Sequence, residues 1–307
     1  MPNEKSYLQK RIESGRPIVL AEISPPASSD AAQVKALAKT FAGKVHGIGI
    51  SDNREGVIMS ALAAASLVIP EGLEPILHMT TRDRNRAALV SDFLGAQALG
   101  IQNILCTSGS HQTLAPFRSS KSVYDIDATI LLQNLKNLGN DASIVGAEKL
   151  ECPVPMCLGA VASPYADPLE LQLPRLANKI FVGAQFIVTQ PVFDMERFSV
   201  WWSEVKNRLL HRKAAFIAGI RVLTNEKSAR QYAAQRPLPM VTDEILKRLA
   251  SAGDEKSRKE GIAIALETIN KLSAMDGIRG FEIVCDEDPQ AAAEVVNALQ
   301  PNTDSTD

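Results

Sequence analysis

The sequence predicts an α/β fold, a (β/α)8 TIM barrel that forms one domain over residues 1–300. Short apolar segments rich in strand-forming residues alternate with longer segments of helical periodicity along the 307 residues. Continuous apolar strands are typical of parallel sheets covered by helices on both faces, which are joined by right-handed crossovers. Eight strand–helix units suggest closure into a barrel, and an open doubly wound sheet is the structural alternative.

The predicted elements follow one another in a regular order. The strands are placed at residues 17–23, 45–50, 74–79, 101–106, 154–161, 184–189, 214–220 and 280–285. Helices are predicted at 30–41, 57–68, 84–99, 127–138, 168–181, 195–210 and 288–299, with up to three more in 226–275. The connection 107–125 has no clear periodicity, and long connections are often functional. The polar residues 301–307 are predicted to be a disordered tail.

Composition and charge predict a soluble protein without nucleic acid or membrane partners. Apolar residues make up 45% and the formal net charge is -2, so no strong field attracts nucleic acid or anionic lipid. The first ten residues lack the apolar core of a signal peptide, and no apolar run is long enough to span a bilayer. Because the four cysteines form no CxxC pair, we interpret them as reduced thiols and expect a cytoplasmic protein.

The barrel prediction also locates a candidate site. Active sites of β/α barrels lie at the carboxyl ends of the strands. Polar residues occupy these positions here, and we expect them to surround one mouth: Glu22, Ser51-Asp52-Asn53, His78, Thr80, Ser108-Gly109-Ser110-His111, Ser163, Tyr165, Gln190, Arg221 and Asp286.

Several of these residues have a functional and a structural interpretation. Glu22 ends an apolar strand, where desolvation favours the neutral carboxyl that a general acid needs; the alternative is a hydrogen-bonded structural carboxylate. His78 can be a structural residue or a catalyst. Ser108-Gly109-Ser110 can present backbone amides to a phosphate or a flavin edge. Arg82 opens a helix, either as a phosphate ligand or as a solvated charge.

Two kinds of site are not supported by the sequence. The four histidines show no metal-ligand spacing, so no metal site is predicted. The sequence has neither a GxGxxG motif nor a Walker loop, which leaves a Rossmann or P-loop nucleotide site without support.

Six motifs follow successive predicted strands. They are Glu22-Ile23-Ser24-Pro25-Pro26; Ser51-Asp52-Asn53 with Gly56, Met59 and Ser60; residues 78–85 with 91–96 and 99–101; Gly109-x-His111 with 122–127; Lys179 with Gly183-Ala184 and 189–194; and Ala218-Gly219-Ile220. Their order and placement resemble the methylenetetrahydrofolate reductase family over nearly the whole chain, and most closely its short, single-domain bacterial members.

This resemblance implies a TIM barrel that holds FAD, with FMN as the alternative cofactor. It implies an oxidoreductase acting on CH–NH donors in one-carbon metabolism. In the family, NAD(P)H or another donor reduces the flavin, which then delivers hydride to 5,10-methylenetetrahydrofolate and gives 5-methyltetrahydrofolate. The implied partners are folate and pyridine nucleotide, with an electron-transfer partner subunit as an alternative donor, and we expect a homo-oligomer.

The resemblance also implies roles for individual residues. Glu22 binds the folate and is the acid that helps open its five-membered ring to a reactive iminium. Gln190 matches the residue that hydrogen-bonds the pterin, and Lys179 would pair with the cofactor pyrophosphate. The positions that match cofactor contacts are Ser51, His78, Thr80, Arg82, Gly109, Ser110, Tyr124, Asp125, Ser163 and Lys179.

Ser110 departs from the family pattern, which has Asp after the glycine. That carboxylate stabilises the cationic iminium, and a charge pair at about 4 Å is worth at most about 4 kcal/mol at an effective dielectric near 20. Asp83, Asp125 and Asp286 are the candidates to replace it.

A second departure follows the last strand, where some relatives carry a Tyr and an Arg that touch folate. Val284 and Asp288 stand at about those positions. Three interpretations therefore stay open: an active reductase, a non-catalytic or regulatory paralog, and a flavin-binding subunit of a larger reductase complex.

Overall fold

Eight parallel strands close a barrel in chain order. The computed structural model describes residues 4–54, 56–111, 119–143, 149–234, 241–284 and 286–299. Its strands are β1 (Ile18–Ile23), β2 (Ile48–Ile50), β3 (Pro75–Thr80), β4 (Asn103–Thr107), β5 (Cys157–Ala162), β6 (Phe186–Pro191), β7 (Ala215–Arg221) and β8 (Ile278–Val284). Each strand pairs with the next, and β8 pairs with β1 from Ile18↔Gly280 to Glu22↔Val284. The (β/α)8 prediction is confirmed, and the open-sheet alternative is wrong.

Helices follow the strands on the outside of the barrel. They are α1 (Tyr7–Ser14), α2 (Ala31–Phe41), α3 (Ala61–Val68), α4 (Arg86–Ala98), α5 (Ala128–Asp141), α6 (Leu169–Val182), α7 (Met195–Asn207), α8 (Glu226–Ala234), α9 (Asp243–Ser273) and α10 (Pro289–Leu299). Helix α9 is broken at Gly253, whose φ of 67° lies in the left-handed region. Side chains of Asp30 and Asp127 cap α2 and α5 by accepting hydrogen bonds from first-turn amides.

Several element boundaries differ from the predictions by two to four residues, and one helix is additional. Helix α3 begins at Ala61 rather than at residue 57, because the amide of Met59 donates to the carbonyl of Pro26 at 2.9 Å and holds the preceding turn against the loop after β1. Helix α1 was not predicted at all.

The barrel interior is packed with side chains rather than open. The cluster that fills it consists of Leu8, Ile18, Leu20, Ile76, Leu105, Cys157, Phe186, Val188, Ala215 and Ile217. A Cβ atom on Gly159 would lie 2.2 Å from the Phe186 ring, so this glycine gives the ring its space. Leu105 and Val188 of this cluster also form the floor of the cavity described next.

Helix α1 seals the amino-terminal end of the barrel. Leu8 is fully buried in the interior cluster. The amides of Tyr7 and Leu8 donate to the Glu74 carboxylate at 2.7 and 2.9 Å, which satisfies first-turn donors of the helix.

The remaining predictions concern the chain ends and the cysteines. Among the helices of the described ranges, none is both long and apolar enough to cross a membrane. Cys106 and Cys157 are buried free thiols and Cys152 is an exposed one. The predicted tail 301–307, Cys285 and part of the connection 107–125 lie outside the described residues. The assignment of one domain over 1–300 stays a prediction.

Candidate active site

A cavity of about 330 Å³ lies at the carboxyl ends of the strands, and its wall contains residues of seven strands and of the loop after β2. Volumes of this size are usual for small-molecule sites. The predicted site residues that line it are Glu22, Ser51, His78, Thr80, Arg82, Gly109, Ser110, Ser163, Lys179 and Gln190. Residues far apart in the sequence thus meet at one mouth.

Tyr124 and Asp125 are the predicted cofactor contacts that do not line this cavity. Asp125 accepts hydrogen bonds from Arg86 Nε and Nη2, both at 3.0 Å, at the start of α4. Tyr124 is 37% exposed, and its hydroxyl donates to the carbonyl of Ser110 at 3.1 Å. Tyr124 therefore supports the loop that carries Ser110.

Arg82 connects the loops around the cavity. Its Nη2 donates to the carbonyl of Asn53 at 2.9 Å, and its Nη1 to that of Ser110 at 3.4 Å. The same guanidinium forms a bidentate pair with Asp83. With these partners Arg82 positions two strand-end loops, and Asp83 is occupied as its counter-ion.

An ion-pair network built on Arg54 forms one side of the site. Arg54, in the loop after β2, donates through Nη1 to Glu22 and through Nη2 to Asp286 at 2.8 Å. Arg221 Nη1 donates to the same Asp286 oxygen at 2.9 Å, and its guanidinium lies 4.4 Å from the centre of the Tyr232 ring. Burial opposes ionisation of Asp286, but the two guanidinium groups outweigh it and lower the pKa of this carboxyl.

Glu22, His78 and Glu282 converge beside this network from three strands. One carboxylate or imidazole atom of each lies within 4.8 Å of the others. Gly49 leaves the space for them, since a Cβ there would lie 2.9 Å from His78 Nε2 and 3.4 Å from Glu282 Oε1. Both of these atoms are buried and lack a hydrogen-bond partner within the described ranges.

Burial shifts the pKa values of Glu282 and His78 in opposite directions. Burial, followed by the negative charge of Glu22, raises the pKa of Glu282 well above its ordinary value. Burial, followed by the positive charge of Arg54, lowers the pKa of His78 to about 3. His78 is therefore neutral near pH 7, and the surroundings of Glu282 favour its neutral form beside the ion pair of Glu22.

The donor set of Glu22, His78 and Glu282 is one that can hold a metal ion. The sequence prediction of no metal site rested on the spacing of histidines and did not consider ligands from three separate strands. That prediction stays untested.

Lys179 lies where the cavity continues toward α5 and α6. Its ammonium group donates to the carbonyl of Val161 at 2.8 Å, and burial lowers its pKa. No carboxylate in the described part of the chain forms an ion pair with it. An adjoining cavity of about 280 Å³ shares Ser108, Val161, Ser163 and Lys179 with the first, so a long ligand can extend through both.

Ser110 lines the cavity, and the carboxyl groups around it differ in whether they do so as well. Asp83, Asp125 and Asp286, the candidates to replace the missing family aspartate, are not among the residues that line the cavity. The carboxyl groups that do line it are Glu22, Asp52 and Glu282. Val284 lines the cavity as well, whereas Asp288 caps α10 and pairs with Arg258 at 2.5 Å.

A sequence comparison decides the family. The family described as methylenetetrahydrofolate reductase matches residues 7–300. The chain belongs to the methylenetetrahydrofolate reductase family. Its members are oxidoreductases, and the resemblance predicted from the motifs is confirmed.

Two further similarities were found, one to a curated protein and one, in fold, to a solved structure. The chain is 26% identical over 147 residues to a Caenorhabditis elegans protein named "Probable methylenetetrahydrofolate reductase (NADPH)", a match that covers 48% of this chain and 20% of that protein. The chain thus spans about a fifth of that relative's length. The fold also matches a Clostridium thermocellum protein that binds two copies of 5-methyl-5,6,7,8-tetrahydrofolic acid, with a TM-score of 0.66, 14% identity and coverage of 95% of this chain and 98% of that one.

The residues of the site fit the flavin that this family uses. Gln190 Oε1 is buried and has no hydrogen-bond partner within the described residues, so it is available to a polar ring edge. Lys179 provides a half-buried ammonium group at the junction of the two cavities, where a ligand phosphate would be stabilised.

Sequence reasoning missed Arg54 and Glu282. Glu282 carries the same signal as Glu22, a carboxylate inside an apolar strand, here between Phe281 and Ile283. No comparable signal exists for Arg54, because its role depends on how the loop after β2 folds back over the barrel mouth.

Proposed function

We propose that this chain is a flavin-dependent reductase that converts 5,10-methylenetetrahydrofolate to 5-methyltetrahydrofolate with NAD(P)H or a partner protein as the electron donor. The observation that carries the proposal is the convergence of Glu22, His78, Gly109 and Gln190 on one cavity in a chain of this family. The folate bound by the structurally similar Clostridium thermocellum protein supports the substrate class. The free cysteines support a cytoplasmic location.

The cofactor in this proposal is FAD, with FMN as the alternative. In this proposal the cofactor is held from the loop after β2 by Ser51, from β3 by His78 and Thr80, and from the loop after β4 by Gly109 and Ser110. Ser163 and Lys179 are proposed to hold its phosphate side. Arg82, Tyr124 and Asp125 act indirectly by holding those loops. When bound, the flavin supplies the hydride for the folate.

The chain's own contribution to the folate step is binding and proton transfer. Gln190 offers its unpaired amide oxygen to the pterin, and Glu22 presents a carboxyl group to the same cavity. Opening of the folate ring breaks a carbon–nitrogen bond, and the nitrogen that keeps the electron pair must receive a proton. Glu22 is the group proposed to deliver it.

An absorption spectrum of the purified protein tests this function. We expect a flavin spectrum that is bleached by NADH or NADPH without oxygen and that returns when methylenetetrahydrofolate is added. A protein that cannot be reconstituted with FAD would instead be a paralog without this activity. The neutral Ser110 favours a second candidate, a flavin-binding subunit, which would be reduced only when a partner protein is present.

A further inference from the structure

We propose that Thr189 is a positioning residue for the pterin, because its hydroxyl holds a bulge in β6 that fixes Gln190 at the wall of the cavity. The inference rests on the proposed function, in which Gln190 binds the folate ring. It also gives a role to Gly219, the centre of the Ala218-Gly219-Ile220 motif, which that function leaves without one.

Strand β6 carries one extra residue beside the cavity. Its pairing with β7 shifts between Val188↔Ile217 and Pro191↔Gly219, so the chain advances by three residues along β6 and by only two along β7. Bulges are rare between parallel strands, and those next to active sites re-aim a side chain. The residues between the two paired positions of β6 are Thr189 and Gln190, and both line the cavity.

The Thr189 hydroxyl joins the two strands where the bulge interrupts their pairing. In a regular parallel pair, a strand amide donates to a main-chain carbonyl of the neighbouring strand. Here the amide of Gly219 donates to Thr189 Oγ1 at 3.0 Å, and Thr189 Oγ1 donates to the carbonyl of Gln190 at 2.9 Å. One hydroxyl therefore ties β7 to the main chain of the residue that is predicted to contact the pterin.

Gly219 leaves the space that the bulge needs. Ala215 and Ile217 of β7 face the barrel interior, and the alternation of a strand directs position 219 to the same side. A Cβ there would lie 2.4 Å from the carbonyl oxygen of Thr189 and 3.2 Å from the carbonyl carbon of Gln190. Because these are main-chain atoms, any side chain at position 219 would displace the bulge.

The bulge holds Gln190 ready for a ligand. Its Oε1 is buried and has no hydrogen-bond partner in the part of the chain that the structure describes. Beyond the bulge, the amide of Val192 donates to the carbonyl of Gly219 at 2.9 Å, so the main chain is fixed on both sides of Gln190. Such preorganisation reduces the entropy that is lost on binding. An amide oxygen accepts hydrogen bonds from N–H groups, which the pterin ring carries.

The experiment measures how flavin reoxidation saturates with methylenetetrahydrofolate. Thr189→Val keeps the shape of the side chain and removes the hydroxyl, whereas Thr189→Ser keeps the hydroxyl. In Thr189→Val we expect the half-saturating folate concentration to rise about tenfold, the equivalent of about one hydrogen bond, with little change in the limiting rate. Thr189→Ser should stay close to the wild type. Thr40→Val is the control, because that hydroxyl donates to the carbonyl of Ala36 on α2, outside the cavity wall.

A double-mutant cycle with Gln190→Ala separates positioning from general damage to the barrel. If Thr189 acts through Gln190, the loss of its hydroxyl has no further effect once the Gln190 side chain is absent. The double variant Thr189→Val/Gln190→Ala should therefore saturate like Gln190→Ala alone. Gly219→Ala, which displaces the same bulge from β7, should raise the half-saturating concentration in the wild-type background and leave it unchanged in the Gln190→Ala background.

Three outcomes would contradict the inference and leave the proposed function intact. They are an unchanged half-saturating concentration in Thr189→Val, an equal rise in both backgrounds, and a tenfold rise in Thr189→Ser, which keeps the hydroxyl. The last of these decides the question even if Thr189→Val and Gly219→Ala do not fold. A wild type that binds flavin but is never reoxidised by methylenetetrahydrofolate would overturn the proposed function, and the role of Thr189 with it.

Discussion

Glu22 and Glu282 are chemically identical side chains in two different surroundings. Glu22 touches a guanidinium, whereas Glu282 is buried next to a carboxylate and a neutral imidazole. Pairs of titratable groups whose surroundings separate their protonation states often share acid and base roles. The sequence indicated Glu22, but the difference between the two surroundings depends on Arg54, which contacts Glu22 only because of how the loop after β2 folds.

Glu22→Gln should separate the two half-reactions. The flavin should still be reduced by the nucleotide, since that step needs no acid. Reoxidation by methylenetetrahydrofolate should fall by at least about 100-fold, because an amide cannot act as the general acid. Stopped-flow absorbance measures both steps on one sample. Equal losses in both half-reactions would contradict a specific role for Glu22.

Ser110→Asp tests the departure from the family pattern. Ser110 lines the cavity, so a carboxylate there would face the cationic folate intermediate. We expect faster flavin reoxidation by folate, with an upper limit of about 4 kcal/mol in the barrier. Ser110→Asn is the matched control of similar size without charge. A rate that is unchanged or slower in Ser110→Asp would show that the missing charge does not limit the reaction.

At the scale of elements, the strands were predictable and the first helix was not. The strands were predictable because each is a local apolar run. The polar residues that follow each strand lie at the same mouth of the barrel even where the predicted strand boundary is wrong by a few residues. Helix α1 is short, and it is held by contacts with Glu74 and with the barrel interior that no local pattern contains. Short helices gain most of their stability from such packing.

Leu8→Ala measures the contribution of α1 to stability. Leu8 is fully buried beneath the barrel, so the truncation leaves a cavity, and we expect a loss of about 2–5 kcal/mol in the free energy of unfolding. Leu171→Ala on α6 is the matched control, because that leucine is 56% exposed. Urea denaturation measures both. A loss below about 1 kcal/mol for Leu8→Ala would mean that α1 does not pack as described.

For the whole molecule, the buried site makes stability depend on pH. The pKa of His78 falls from 6.5 to about 3 on folding. Below pH 6.5 the unfolded chain takes up this proton and the folded chain does not, so His78 lowers the free energy of unfolding by about 1.4 kcal/mol per pH unit as the pH falls. Glu282 acts with the opposite sign: its raised pKa stabilises the folded chain at low pH, and that stabilisation is lost as the pH rises.

His78→Gln should therefore weaken the dependence of the free energy of unfolding on pH below pH 7. Relative to the wild type, the variant should lose less stability between pH 7 and pH 5, measured by urea denaturation at each pH. The exposed His111→Gln is the control and should follow the wild type. A variant slope equal to that of the wild type would show that His78 takes up a proton in the folded state.

The closure of the barrel by α1 also determines from which end a ligand can reach the cavity. Leu8 closes the amino-terminal end of the barrel. A ligand of the cavity must therefore enter and leave at the carboxyl ends of the strands. In the proposed reaction, a nicotinamide and a pterin would therefore enter through this one opening and react with the flavin one after the other.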